Sequence, residues 1–109
     1  MFQPKIYLYY LQKLKKHRLT GHADTRFVYL DDEFLDPEPS KKIYNHSPDN
    51  FNWGYAGSGP SQLALAVVLK LTGKPDGYQD FKFGVIACLE GGRDFDIEFS
   101  LQPITVENG

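Results

Sequence analysis

Hydrophobic positions crowd one stretch of the chain above all others. Leu63, Ala64, Leu65, Ala66, Val67, Val68, Leu69 and Leu71 follow one another with only Lys70 between them. A helix apolar on almost every side is a buried helix, and the run is about half of the ~20 residues that a membrane span requires. Local chemistry marks its limits. Pro60 suits the first turn, where its missing N–H costs nothing. Gly59 then falls at the N-cap and Gln62 at the third position, from which its side chain can reach back to the cap backbone. Ser58 and Ser61 are alternative caps for the same donors. Thr72-Gly73 followed by Pro75 is a stop, because Gly suits the left-handed position past a helix end and Pro cannot continue the helix. The pattern predicts a central helix over Pro60–Thr72.

Elsewhere the periodicity changes. Phe95, Ile97, Phe99 and Leu101 alternate with Asp94, Asp96, Glu98 and Ser100, which predicts a half-buried strand over Asp94–Leu101. Arg26–Leu30 and Glu33–Leu35 read as a hairpin turning at Asp31-Asp32, although the turn lacks the usual Asn-Gly signal. Pro37 and Pro39 end it, and Ser40–Asn45 fits either a short strand or a helical turn. Tyr78, Phe81, Val85, Cys88 and Leu89 follow helical spacing, so a second helix is expected over Asp76–Glu90, capped by Asp76 and stopped by Gly91-Gly92. Gly84 within it is expected to mark a close crossing with the first helix. Lys5–Leu19 reads as a helix ended by Thr20-Gly21, with a strand over Ile6–Tyr10 as the competing reading. The fold class is therefore α+β: a small antiparallel sheet of three or four strands packed against two central helices, with an N-terminal helix or strand at the edge.

The loop entering the central helix, Asn52-Trp53-Gly54-Tyr55-Ala56-Gly57-Ser58-Gly59, holds the only Trp. It supports two readings. Free N–H groups at a helix start attract anions, so Ser58 and Ser61 could donate to a small anion between walls of Trp53 and Tyr55. Alternatively the two rings plug the end of the core and the glycines let the chain pass beneath them. A nucleotide-hydrolysing phosphate loop would end in Gly-Lys-Ser/Thr, and here Pro-Ser-Gln follows.

The run Asn45–Leu69 resembles a family of small uncharacterised domains from bacteria, archaea, plasmids and phages. The shared pattern is N-H-S-P-x-x-F-x-W-G-Y-x-G-S-G-P-x-Q-L-A-L-A. It is met here by Asn45, His46, Ser47, Pro48, Phe51, Trp53, Gly54, Tyr55, Gly57, Ser58, Gly59, Pro60, Gln62 and Leu63. A looser similarity extends over roughly Arg18 to Leu101. The resemblance implies a single small domain, of a kind carried on mobile elements, and it implies no chemistry. The domain organisation expected is an N-terminal extension over 1–17, one α+β domain over 18–103 and a polar tail over 104–109.

At 109 residues the chain has the length of one domain, and 41% hydrophobic with 24% charged residues is ordinary for a globular protein. The single cysteine, Cys88, excludes an internal disulfide and a multi-cysteine zinc site; its apolar neighbours predict a buried thiol. Residues 2–11 lack the basic start and small-residue cleavage site of a signal peptide, so a cytoplasmic location is expected. Net charge is −2, but the first thirty positions carry six Lys and Arg against one Asp. This unevenness fits an N-terminal segment lying on an acidic body, or a basic handle for a partner.

Four constellations could carry chemistry. His46, Ser47 and Asp49 contain the residue types of a triad without a nucleophile-elbow pattern. His17, His22 and Asp24, with His46 and Asp49, have metal-ligating chemistry but no helical spacing. Asp94, Asp96 and Glu98 line one strand face and could hold a divalent cation. Lys13, Lys15, Lys16 and Arg18, among Tyr7, Tyr9 and Tyr10, could bind a nucleic-acid strand by charge and stacking. None outweighs its ordinary structural explanation. The reading adopted is a non-enzymatic binding or interaction protein, associated with mobile elements and acting on a host macromolecule. It needs no catalytic residues, cofactor or metal, and self-association is compatible with it. The binding residues are His46, Asp49, Trp53, Tyr55, Ser58, Ser61 and Gln62, and the partner is a protein. The alternative is a small nucleotide- or anion-binding domain or enzyme using the helix start at Ser58–Gln62.

Overall fold

The computed structural model describes residues 15–101. Four strands form one antiparallel sheet: β1 (His17–Gly21), β2 (Val28–Leu30), β3 (Glu33–Phe34) and β4 (Phe95–Phe99), in the order β3-β2-β1-β4. Three helices accompany it: α1 (Glu38–Ile43), α2 (Ser58–Thr72) and α3 (Tyr78–Gly84), with a 3₁₀ turn at Ile86–Cys88. The α+β class holds. Among the described residues no helix is long and apolar enough to cross a membrane.

The largest departure from expectation is β1. His17, Arg18 and Leu19 form the start of a strand rather than the end of a helix, and that strand lies inside the sheet, between β2 and β4. The rest of the expected segment, 5–14, lies outside the described residues. Alternation explains the strand: Leu19 and Gly21 are buried while Arg18 and Thr20 face outward. Five residues hide this because the leucine-spaced run before them outvotes a short period-2 signal.

The hairpin forms as expected. Leu30 pairs with Glu33 and Tyr29 with Phe34, so Asp31-Asp32 is a two-residue loop. Both have positive φ, 52° and 68°, the conformation that matches hairpin twist and usually calls for Asn or Gly. Asp tolerates it, and here Asp31 is also tied down: its carboxylate accepts from Arg18 N–H at 2.9 Å and bonds His17 Nδ1 at 2.8 Å. The stretch that the prolines open resolves as helix, with Pro37 as N-cap and Pro39 in the first turn; it starts at Glu38, whose N–H is taken by Asp36 Oδ1 at 3.0 Å.

Helix α2 is buried from Gly59 to Val68. Leu63, Ala64, Ala66 and Val67 pack in one core with Leu19, Val28, Leu30 and Phe99 of the sheet and with Phe81 and Ile86. It ends at Gly73, φ 80°, whose N–H returns to Leu69 O. It begins at Ser58 with Gly57 as N-cap, two residues earlier than expected. Gln62 does not reach back to the cap; its side chain goes elsewhere, as described below.

The second helix is shorter than Asp76–Glu90. α3 spans Tyr78–Gly84, its N-cap is Gly77 rather than Asp76, and Val85 leaves helical geometry before the 3₁₀ turn. A Cβ on Gly84 would meet nothing within 4 Å, so Gly84 does not mark a close crossing. The apolar spacing continued past the break because the 3₁₀ turn still buries Ile86. Cys88 closes that turn and is exposed, not buried.

Candidate functional site

The loop before α2 divides into an inward and an outward part. Trp53 is 1% exposed. Its ring meets Phe95 edge-on at 4.8 Å and its Nε1–H donates to Arg93 O at 2.8 Å. Gly54 follows with φ 88°, donates its N–H to Ile86 O, and lies so close to Gly91 that a Cβ would come 2.4 Å from the Gly91 backbone. Only Gly fits such a contact at positive φ. Trp53 and Gly54 therefore lock the loop onto the segment from Ile86 to Arg93.

Tyr55 turns outward and is about half exposed. Its ring crosses the start of α2: a Cβ on Gly57 would fall 2.3 Å from it, and one on Gly59 would fall 3.2 Å from its hydroxyl. Ser58 is exposed in the first helical turn, and Ser61 is buried with its N–H given to Gly57 O. Asp49 is exposed.

Gln62 is 0% exposed and all its amide capacity is used. Oε1 accepts from His46 N–H at 2.7 Å and Ser47 N–H at 3.0 Å. Nε2 donates to Ser40 Oγ at 2.9 Å and Tyr44 O at 3.1 Å. Backbone N–H groups cannot donate to an amide nitrogen, so this orientation of the amide is the only one that works. Gln62 thus pins α1 and the 44–47 loop to the central helix.

His46 sits at the outer end of that loop. Tyr44 stacks on it, centroids 4.3 Å apart and planes 3° apart, and its Nε2 shares a 2.7 Å hydrogen bond with Tyr78 Oη. Burial, then the nearby Lys82 ammonium, lower its pKa from the ordinary imidazole value. His46, Ser47 and Asp49 form no relay: among the described residues His46 is bonded to tyrosine and glutamine, not to a carboxylate.

The acidic and basic rows meet each other. Asp96 takes both Nε and Nη2 of Arg18, at 2.9 and 2.7 Å, and Glu98 lies 3.9 Å from Lys16. Asp94 accepts from Ala23 N–H at 2.7 Å. The hydrogen bond from Arg18 holds the Asp96 carboxyl below its usual pKa; the bond from Arg18 N–H, followed by that from His17, does the same for Asp31. Two of the four basic residues singled out for nucleic acid, Lys16 and Arg18, are so engaged; Lys15 is exposed and Lys13 lies outside the described residues. His17 pairs with Asp31 and His22 packs edge-on against Tyr29. Among the described residues no three His, Cys, Asp or Glu side chains converge.

The structure also places together residues that the sequence did not single out. Phe27, Tyr29 and Phe34 touch ring to ring in T-shaped pairs at 5.4 and 5.8 Å on the outer face of the sheet. Phe27 is 43% exposed and Phe34 51%. The signal was present: Phe27 and Tyr29 alternate with buried Val28 and Leu30, so this strand is apolar on both faces. Its register with Phe34, set by the two-residue turn, was needed to make a patch of it. Asn50 Nδ2 donates to Thr25 O at 3.4 Å, which ties the segment before the aromatic-glycine loop to the turn leading to Phe27.

Residues 17–104 match the model of a family described as a family of unknown function (DUF6166), and the chain belongs to that family. No curated protein and no solved structure matches the chain.

Proposed function

We propose that this member of the family is a non-enzymatic binding protein that engages another protein, working in the cytoplasm. Its contact surface is the Phe27–Tyr29–Phe34 patch on the open face of the sheet, and the exposed Tyr55 of the aromatic-glycine loop is a further contact in this reading. The observation that carries this reading is the patch itself: mutually packed rings, two of them about half exposed, on a sheet face that no described element covers. Aromatic residues concentrate at the centres of protein interfaces, where their burial supplies most of the binding free energy. The same hairpin and its neighbour β1 also carry charge, Arg18 bonding Asp96 and lying 3.6 Å from Asp32 of the turn, and a polar rim is usual for such a surface. The likeness to domains carried by plasmids and phages favours a host macromolecule as the partner.

Helix-start binding of a nucleotide or anion has less in its favour. Gln62 and Ser61 are buried, Pro60 has no N–H, and Tyr55 lies across what remains. A photo-crosslinking side chain placed at Phe34, in cells of the native host, tests the proposal. One discrete product, suppressed by excess unlabelled protein and missing when the same group stands at exposed Lys74, is the expected result. No product at Phe34, or the same products from both positions, overturns it.

A further inference from the structure

The sheet ends on β3 at one side and β4 at the other. β3 is two residues long and soon meets Pro37, a short edge of the kind that resists further pairing. β4 is five residues long and holds no proline. The ladder shows which of its main-chain groups are free. Arg18 O accepts from Asp31 N–H, and His22 N–H, just past β1, donates to Phe27 O. The even-numbered residues of β1 therefore turn their main-chain groups toward β2. His17, Leu19 and Gly21 turn theirs toward β4, where Phe99, Ile97 and Phe95 stand opposite. The N–H and C=O groups of Asp96 and Glu98 then point out along the open edge. Among the described residues no hydrogen bond takes them up.

The two faces of this edge differ. On the core side, Phe95 and Ile97 pack against the core and are only partly buried. On the outer side, Asp94, Asp96 and Glu98 are exposed. The cations there do not balance them: Arg18 is shared between Asp96 and Asp32, and Lys16 comes only to 3.9 Å from Glu98. Charge on an edge ordinarily keeps strands away; with one sign in excess it discriminates among them. A second copy of the chain is turned away. Antiparallel self-pairing with the two-fold axis at Asp96, Ile97 or Glu98 always sets Asp96 or Glu98 opposite Asp96 or Glu98 of the copy, and opposed like charges destabilise a pair.

We propose that the β4 edge receives an extended segment of a partner protein in which basic and apolar residues alternate. Paired antiparallel, the basic residues stand opposite Asp96 and Glu98 and exchange main-chain hydrogen bonds with them. The apolar residues between extend the cover over Phe95 and Ile97. Strand addition of this kind draws affinity from the main chain and selectivity from alternate side chains. The edge is separated from β2 by β1, so this surface and the Phe27–Phe34 patch can fail independently.

Amide NMR of the full chain, titrated with an acetylated heptapeptide of alternating Lys and Val, tests it. Saturable shifts are expected at the Asp96 and Glu98 N–H signals. Methylating the peptide nitrogens of the lysines, which face β4, weakens binding about tenfold or more; methylating those of the valines, which face away, leaves it unchanged. That pair has the same charge and composition, so attraction between charges alone does not separate it. A Glu/Val peptide does not bind. Glu98→Pro removes one edge donor where proline is tolerated and weakens binding too. The proposal is overturned by the absence of saturable shifts at Asp96 and Glu98, by equal binding of the two methylated peptides, or by equal binding of the Glu/Val peptide. Shifts of those amides with protein concentration alone would give the edge to a second copy and overturn it as well. Should Glu98→Pro fail to fold, the methylated pair decides.

Discussion

Replacing Gln62 by Leu tests how the central helix is joined to the loop that carries His46. The substitution keeps most of the side-chain volume and deletes four hydrogen bonds. Their partners do not suffer equally. His46 N–H still has Tyr44 O at 3.2 Å, Tyr44 O still accepts from it, and Ser40 Oγ still donates to Pro37 O at 2.7 Å. Ser47 N–H is left with nothing, in a residue that is itself buried. An orphaned buried donor costs about 1–3 kcal/mol, and each lost neutral bond about 0.5–1.5 kcal/mol more, offset in part because Leu has no amide to desolvate. The expected loss is about 2–4 kcal/mol, or about 10–25 °C in Tm for a domain of this size. Urea unfolding followed by Trp53 fluorescence measures it, since that ring is buried in the native state. Gln62→Glu adds a pH signature. Its carboxylate would accept from both N–H groups but set an oxygen against Tyr44 O, so its folded pKa lies above the ordinary value of about 4.3. The penalty is then absent below that pH and grows as pH rises through the folded pKa. A Gln62→Leu protein within about 0.5 kcal/mol of wild type would refute the reasoning, because surface changes alone have effects that small.

Other substitutions separate the remaining contacts. Gly54→Ala, at φ 88° and against Gly91, should destabilise strongly, whereas Gly84→Ala, with open space for its Cβ, should be neutral or stabilise by up to about 1 kcal/mol; thermal melts of the two decide. Asp31 has a depressed pKa, so its contribution is present above about pH 4 and is lost as pH falls through the lower folded value. Asp31→Asn, which keeps the turn, should therefore show a flatter stability profile on the acid side in urea titrations between neutral and acid pH. Cys88, exposed at the end of the 3₁₀ turn, should react with a thiol reagent in the folded state with one equivalent, and protection until unfolding would contradict its placement.

The parts of this fold legible in the sequence were those set by a long pattern or by turn chemistry. The Pro60–Thr72 run, the alternation from Phe95 to Phe99 and the Asp31-Asp32 reversal each declare themselves locally. β1 did not, because its five residues follow a leucine-spaced basic run and its place inside the sheet depends on pairing with β4, from far along the chain, as well as with nearby β2. The end of α3 was misplaced because a 3₁₀ turn keeps Ile86 on the buried side while abandoning the α-helical ladder. For the site, the sequence singled out Gln62, Trp53 and His46 as unusual. It did not say that Gln62 and Trp53 point inward, since a buried amide with four partners and a loop residue on a protein surface look alike until those partners are placed. The Phe27–Phe34 contact depends on hairpin register, which is not a property of a local stretch.

The double variant Phe27→Ser/Phe34→Ser addresses the central claim most directly. These rings face solvent, so the variant should fold with a loss of about 1–2 kcal/mol from their mutual contacts. Added in excess to the Phe34 crosslinking reaction, it should fail to suppress the product that wild-type protein suppresses. Competition equal to wild type would show that the open face of the sheet is not where the partner binds.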